Sequence, residues 1–123
     1  MPITITDVKG ERIFDSRGVP TLRVTIVGSD GSTGIFAVPS GASTGANEAY
    51  ELRDDATSHG DVTRAISLLE SEIRDAILGK DITAQKEIDT QLCALDGTKN
   101  KHRLGGNTLI GVSIALLKAA AMS

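Results

Sequence analysis

Residues 21–26, Thr21-Leu22-Arg23-Val24-Thr25-Ile26, decide the fold because polar and apolar side chains alternate along them. A period of two residues is typical of a β-strand that buries one of its faces. Turn-rich stretches, Asp15 to Pro20 and Gly28 to Gly31, precede and follow this strand. Apolar segments flank both turns, and sequential strands with short connections pair antiparallel. The sequence therefore predicts a three-stranded antiparallel meander.

The two outer strands are less regular than the central one. Apolar positions are unevenly spaced in the first strand, at Ile3, Ile5, Val8, Ile13 and Phe14. We expect this strand to be long and to break near Lys9-Gly10. The third strand is predicted over Ser32 to Val38.

The remainder of the chain has helical patterns. Apolar residues recur every three or four positions from Val62 to Ile77, which predicts an amphipathic helix. Asp61 is the expected N-cap of this helix and Gly79 its C-terminal stop. A shorter helix is predicted from near Thr83 to Asp96, and a short one over residues 48–53. The fold class is therefore α+β, a three-stranded antiparallel meander followed by a helical subdomain.

The last predicted helix, Asn107 to Met122, has almost no polar face. Its large apolar residues point in many directions around the axis: Leu109, Ile110, Val112, Ile114, Leu116 and Leu117. A helix that is apolar all round requires burial on several sides. We therefore expect an interface on this helix that the chain itself does not fill, and a domain that is part of something larger.

Composition narrows the class of protein. The chain has 123 residues and a net charge of −3, with scattered basic residues, so we expect no nucleic-acid partner. The segment Met1 to Thr4 lacks the features of a signal peptide, and the apolar stretch from Leu109 to Met122 is too short to span a membrane. The single cysteine, Cys93, cannot form an internal disulfide, and we expect it to be a buried structural thiol. These features favour a reducing, cytoplasmic location without a membrane partner.

A loop of small residues follows the third strand. It reads Val38-Pro39-Ser40-Gly41-Ala42-Ser43-Thr44-Gly45. Its glycines permit close backbone approach, and its three hydroxyl groups donate and accept hydrogen bonds. Such a loop can surround a phosphate with N–H groups or provide oxygen ligands to a hard cation, or it can simply be a tight surface turn.

Other chemical interpretations of the sequence are weaker. Gly41 to Gly45 matches the G-x-S-x-G pattern of a hydrolase nucleophile, but that site requires a parallel sheet and a histidine that reaches the serine. His59 lies in a polar segment and His102 in a basic turn. Asp54, Asp55 and Asp61 do not have the spacing of a metal-binding loop, and the chain has too few histidines and cysteines for a zinc site.

Five motifs in order resemble the N-terminal domain of enolase. They are Asp15-Ser16-Arg17-Gly18, the loop Val38 to Gly45, Glu51-Leu52-Arg53-Asp54, Leu95-Asp96-Gly97-Thr98 and Leu104-Gly105-Gly106-Asn107. The resemblance implies that residues 1–123 form an N-terminal capping domain, and that the catalytic C-terminal barrel is absent from this chain. In that family the barrel carries the lysine base, the glutamate acid and the carboxylates that bind the first magnesium ion. The full glycolytic enzyme, a lyase, dehydrates 2-phosphoglycerate to phosphoenolpyruvate.

The resemblance also implies a role for the loop. The residues Ser40, Gly41, Ala42, Ser43 and Thr44 would form a mobile loop that closes on the substrate. The hydroxyl and carbonyl oxygens of Ser43 would ligate the second magnesium ion. No catalytic base or acid is expected in this chain, so the chain alone is predicted to be inactive.

Several residues depart from the family pattern. Val19 and Asn47 replace an asparagine and a histidine, and the segment 55–61 is about three residues shorter than the family pattern. Glu11 and Arg23 reverse the charges of two family positions that contribute to a dimer contact. We expect these two residues to face each other across the first hairpin or to meet partners of inverted charge, in a homodimer with altered contacts. The departures leave two alternatives open: a paralogue acting on a related phosphorylated or phosphonate acid, and a stand-alone binding module.

Overall fold

A computed structural model describes residues 2–14, 16, 18–38, 62–97 and 105–123. It contains the strands β1 (Ile5–Phe14), β2 (Pro20–Gly28) and β3 (Thr33–Ala37). They form one antiparallel sheet in the order β1-β2-β3. The predicted α+β meander is therefore confirmed.

The central strand β2 separates the core from an open face of the sheet. Leu22, Val24 and Ile26 are fully buried, as their alternation predicts. The intervening side chains of Arg23, Thr25 and Val27 are only partly buried, because a strand directs successive side chains to opposite faces. The core thus lies on one side of the sheet, where the helices pack.

The predicted break at Lys9-Gly10 is wrong. Strand β1 continues through both residues, and the irregularity in its pairing lies between Ile5 and Asp7. Gly10 serves a close approach instead, because a Cβ atom at this position would lie 2.5 Å from Cδ2 of Leu69. A side chain at this position would have to displace the end of the Leu69 side chain.

A continuous helical segment follows Val62, and it changes type along its length. It consists of α1 (Thr63–Leu68), a π-helical turn (Leu69–Ile73) and α2 (Arg74–Ile77). Leu69, Ile73 and Ile77 are fully buried, which confirms the predicted apolar face. Gly79 follows the segment with φ at +83°, a conformation that glycine adopts without a steric penalty.

Two more helices complete the described fold, α3 (Gln85–Asp96) and α4 (Gly106–Met122). Helix α3 begins two residues later than predicted and ends at Gly97, whose φ of +70° terminates it in the left-handed conformation. Helix α4 packs against β2 and β3 through its small residues. A Cβ atom on Gly34 would lie 1.9 Å from the carbonyl oxygen of Ala115, so helix and strand are in backbone contact.

Helix α4 also has large side chains that the described residues leave exposed. Ile110 is 50% exposed and Leu117 58% exposed, whereas Val112 and Leu116 are fully buried. The expected uncovered surface on this helix is therefore confirmed at Ile110 and Leu117. Among the described residues, no helix has both the length and the apolar character that crossing a membrane requires.

The prediction of a buried Cys93 is wrong. Its side chain is exposed on α3, although it lies in the predicted helix. Ile88 and Leu92 occupy the buried face of α3. Cys93 follows Leu92 by one residue and is rotated about 100° away from that face.

Candidate functional site

The predicted loop lies in a segment that is bordered by two described residues, Val38 and Val62. The loop residues Ser40, Gly41, Ala42, Ser43 and Thr44 lie outside the described residues. So do six further predictions from the sequence: the helix over 48–53, Asp54, Asp55, His59, Asp61 and His102. The loop belongs to the stretch 39–61, which lies between the described residues Val38 and Val62.

Val38 is fixed in the core directly before the loop. Its side chain is 5% exposed, and its N–H donates a 2.8 Å hydrogen bond to the carbonyl oxygen of Leu22. The hydroxyl of Thr21 donates a 2.6 Å hydrogen bond to the carbonyl oxygen of Val38, and this bond is buried. Residues of β2 therefore form hydrogen bonds with both the N–H and the carbonyl oxygen of Val38. The chain leaves the sheet at Val38 from a fixed position.

Val62 is the first described residue after residues 39–61, and it is also fixed in the fold. Its side chain is fully buried in a small cluster with Ala65, and Ile66 and Leu68 pack against this cluster. The carbonyl oxygen of Val62 accepts a 3.0 Å hydrogen bond from the N–H of Ile66, the first turn of α1. No side chain of the described residues caps this turn.

The N-terminus of α4 lies at the same end of the sheet as the start of the loop. A Cβ atom on Gly111 would lie 3.0 Å from Cγ2 of Val38, near the end of β3. Ala115 and Ala119, further along the helix, instead contact Gly34 near the start of that strand. Helix α4 therefore runs antiparallel to β3.

This direction places the amino end of α4 at the end of the sheet where Val38 lies. The amino end of a helix carries a partial positive charge and N–H groups without intrahelical partners. Within this first turn the hydroxyl of Thr108 donates a 2.6 Å hydrogen bond to the carbonyl oxygen of Gly105. Thr108 is fully buried and Asn107 is 7% exposed. The first turn of α4 is therefore buried at both of these residues.

Two described carboxyl groups with shifted pKa values, Asp30 and Asp81, lie in turns. The hydroxyl of Ser32 lowers the pKa of Asp30 by hydrogen bonding, and the N–H of Ser32 lowers it further. The hydroxyl and N–H of Thr83 lower the pKa of Asp81 in the same way. Within the described part of the chain, no three histidine, cysteine or acidic side chains are grouped as metal ligands would be. These two carboxylates therefore organise turns.

Sequence reasoning missed two residues that support the loop, Thr21 and Gly111. Thr21 falls on the polar side of the strand pattern, yet it is 4% exposed and bonded to Val38. Gly111 had a readable signal, because a glycine inside a strongly apolar helix indicates close packing. Its missing side chain leaves room for Val24 and Val38.

The chain was compared with known protein families. The family model described as "Enolase, N-terminal domain" matches residues 5–123. The match spans β1, the loop segment and all the described helices.

Proposed function

The chain belongs to the enolase N-terminal domain family, and from this we propose that it is the capping domain of an enolase that dehydrates 2-phosphoglycerate to phosphoenolpyruvate. The observation that carries the proposal is the loop Ser40 to Thr44, rooted at a buried Val38 at the same end of the sheet as the amino end of α4. A fixed root lets a glycine-containing loop open and close without disturbing the core. The positive end of a helix favours an anionic ligand beside it.

The division of labour follows from the residues of this chain. Abstraction of a weakly acidic α-proton needs a positioned base, and we assign none to residues 1–123. The lysine base and glutamate acid belong to a C-terminal barrel, which is the proposed partner of this domain. The barrel-free chain is therefore expected to be inactive.

The donor atoms of the loop suit a magnesium ion. Serine hydroxyl and backbone carbonyl oxygens are hard ligands of the type that this ion prefers. We assign ligation to Ser43, because this residue matches the serine that ligates the second magnesium ion in the enolase family. When bound, the ion would stabilise negative charge that develops on the substrate. Ser40, Gly41, Ala42 and Thr44 would bring Ser43 over the substrate and exclude water.

We further propose a cytoplasmic glycolytic enzyme whose homodimer uses altered contacts. The charge reversal at Glu11 and Arg23 motivates the altered dimer. A second candidate is a paralogue that acts on a related phosphorylated or phosphonate acid. Asn47, in place of a histidine beside the loop, favours this alternative because it changes a side chain that faces substrate in the family.

The test uses the protein that contains the barrel, and it compares Ser43→Ala with Ser40→Ala as the matched control. Both changes remove one hydroxyl from the same loop. Turnover of 2-phosphoglycerate is measured against magnesium concentration. We expect Ser43→Ala to lower turnover and to raise the magnesium concentration required, because water refills the vacated ligand position but does not couple metal binding to loop closure. Ser40→Ala should have a smaller effect.

Two results would contradict the proposal. Turnover of 2-phosphoglycerate by the purified 123-residue chain would show that the base is not in the barrel. Wild-type behaviour of Ser43→Ala at limiting magnesium would show that Ser43 is not a ligand. Activity of the full protein on a phosphonate, with none on 2-phosphoglycerate, would favour the paralogue.

A further inference from the structure

The two edges of the sheet are treated differently. Strand β1 is covered along the edge from Ile3 to Gly10. The N–H of Ile5 donates to the carbonyl oxygen of Lys80 at 2.8 Å, and the N–H of Gly79 donates to the carbonyl oxygen of Ile5 at 2.9 Å. Glu70 accepts a 3.2 Å hydrogen bond from the N–H of Gly10. These contacts block the addition of another strand along this part of β1.

Strand β3 is the opposite edge, and the described residues do not cover its outward backbone groups in this way. The N–H of Gly28 bonds to the carbonyl oxygen of Ser32, and the N–H of Val38 bonds to that of Leu22. The backbone N–H and C=O groups of even-numbered residues in this strand therefore point toward β2, and those of odd-numbered residues point away from the sheet. In the described part of the chain, no hydrogen bond reaches the outward backbone N–H and C=O groups of Thr33, Ile35 and Ala37.

The edge of β3 also lacks two features that commonly prevent strand addition, a charged residue and a proline. Residues 33–37 read Thr-Gly-Ile-Phe-Ala, with neither charge nor proline, although exposed edges are commonly protected by lysine or proline. Ile35 is 49% exposed on the open face of the sheet. Lys118 does not protect the edge, because its Nζ lies over the ring of Phe36 on the helix side of the strand, 5.4 Å from the ring centroid.

We propose that β3 is an interface at which two copies of this chain pair antiparallel, edge to edge, about Ile35. This arrangement places Ile35 opposite Ile35 of the second copy, and Thr33 opposite Ala37. The outward backbone groups of Thr33, Ile35 and Ala37 in one copy then exchange hydrogen bonds with those of Ala37, Ile35 and Thr33 in the other. The uncharged strand brings no like charges together, so self-pairing is not opposed by repulsion.

The side chains on the helix side fit the same register. Phe36 of one copy faces Gly34 of the other, so the larger side chain meets a position without one. Gly34 has no side chain because α4 lies against it, with Ala115 and Ala119 in backbone contact. An aromatic residue across from an edge glycine restores packing that the glycine loses.

The proposed contact closes on itself. Each copy contributes the same β3 edge, so the contact is two-fold and closes as a dimer. The five residues of β3 form a small interface, and we expect reversible association. This contact is separate from the hairpin of Glu11 and Arg23, and it does not depend on the proposed enzyme activity.

The test is sedimentation of the 123-residue chain over a range of concentrations, with the matched variants Ile35→Lys and Ile110→Lys. The two isoleucines are 49% and 50% exposed, so each variant places a charge at a similarly exposed site. Ile35→Lys should raise the dimer dissociation constant about tenfold or more, because it places two lysines opposite each other. Ile110→Lys should leave it unchanged. A monomer at all concentrations, or loss of the dimer only with Ile110→Lys, would overturn the proposal.

The register is tested by oxidation of single-cysteine variants in a Cys93→Ser background. Directly opposite Cα atoms lie about 5.5 Å apart in a hydrogen-bonded pair, within the range of about 4.4–6.8 Å that a disulfide spans. Ile35→Cys should therefore form a disulfide-linked dimer. In Thr33→Cys the two cysteines would lie roughly 13 Å apart along the paired strands and should not cross-link. Cross-linking of Thr33→Cys instead would contradict pairing about Ile35.

Discussion

Nη2 of Arg23 donates a 2.7 Å hydrogen bond to Oε2 of Glu11, across the hairpin of β1 and β2. The two residues are also register partners in the sheet. The first of the two arrangements expected for this reversed pair is therefore confirmed. Because each charge meets its opposite within the chain, the reversal at one position is compensated by the reversal at the other.

The energetic contribution of this pair is expected to be small. Its side chains are 41% and 51% exposed, so solvent screens their attraction. In a double-mutant cycle with Glu11→Gln and Arg23→Gln, we expect a coupling of about 0.2–1 kcal/mol that decreases at high salt. The free energy of unfolding of each variant in the cycle is measured by urea denaturation. The control cycle combines Glu11→Gln with Arg74→Gln, because Arg74 bonds to Asp7 at 3.2 Å and not to Glu11. Equal coupling in the two cycles would show that the cross-strand contact is not specific.

The contact between β3 and α4 predicts a large difference between two glycine substitutions. A Cβ atom on Gly34 would lie 1.9 Å from the backbone oxygen of Ala115 and 2.4 Å from the N atom of Ala119. Gly34→Ala must therefore displace the helix, and we expect a loss of about 3 kcal/mol or more, at the upper end of overpacking costs.

Gly111→Ala is the matched control for this prediction. Its Cβ atom would lie 2.7 Å from Cγ2 of Val24 and 3.0 Å from Cγ2 of Val38, which are side-chain atoms that can move. The gain of about 1 kcal/mol from replacing glycine with alanine inside a helix offsets part of the strain. Chemical unfolding should rank Gly34→Ala as the more destabilising change. The opposite order would show that α4 can shift along β3.

The same contacts show what the sequence predicts well and what it does not. The alternation around Val24 correctly predicts a buried strand, because one-sided burial leaves a period-two pattern. Gly10 and Gly34 are different, because a glycine in a strand indicates either a break or a close neighbour. Only the position of the neighbouring helix distinguishes the two, and that position depends on residues far along the chain. At Gly10 the neighbour is Leu69, so the predicted break is wrong.

Helix type and side-chain exposure were also only partly predictable. Apolar positions four residues apart, such as Leu69 and Ile73, are compatible with an α-helix or a π-helical turn, so the periodicity does not reveal the change at Leu69–Ile73. The residue type of Cys93 predicts burial, but its side chain is exposed. Cys93 follows Leu92 directly in the sequence, so it points about 100° away from the buried face of the helix. At the candidate site, the sequence indicated the loop itself, and the structure added its root at Thr21 and Val38.

The two turn carboxylates predict a pH dependence with a definite sign. Hydrogen bonds from Ser32 and from Thr83 lower the pKa values of Asp30 and Asp81 from 3.8. A carboxyl group whose pKa is lower in the folded state stabilises the fold above its unfolded pKa, and this stabilisation is lost as the pH falls through the folded value. Carboxyl ¹³C NMR should show both midpoints below 3.8.

Variants separate the two turns in that experiment. Ser32→Ala should raise the midpoint of Asp30 and leave that of Asp81 unchanged, because only the Ser32 hydroxyl is removed. Thr83→Val should raise the midpoint of Asp81 and leave that of Asp30 unchanged, because it removes the hydroxyl that bonds to Asp81. A midpoint of Asp30 that is insensitive to Ser32→Ala would show that the hydroxyl does not cause the shift.

The bond between Thr21 and Val38 connects the stability of the sheet to the loop. The hydroxyl of Thr21 donates to the carbonyl oxygen of Val38 at 2.6 Å in a buried position. Thr21→Val keeps the shape of the side chain but leaves that carbonyl group without this donor, at a cost of about 1–3 kcal/mol in the free energy of unfolding. Thr21→Ser keeps the hydroxyl and removes only a methyl group, so it should retain most of the stability.

If the loop acts as proposed, Thr21→Val should also reduce turnover in the barrel-containing protein at a temperature where it is fully folded, because Val38 sets the point from which the loop closes. Unfolding curves give the first quantity and steady-state kinetics the second. Equal stability of the Val and Ser variants would show that the hydrogen bond contributes nothing. Reduced stability with wild-type turnover would show that closure does not depend on this root.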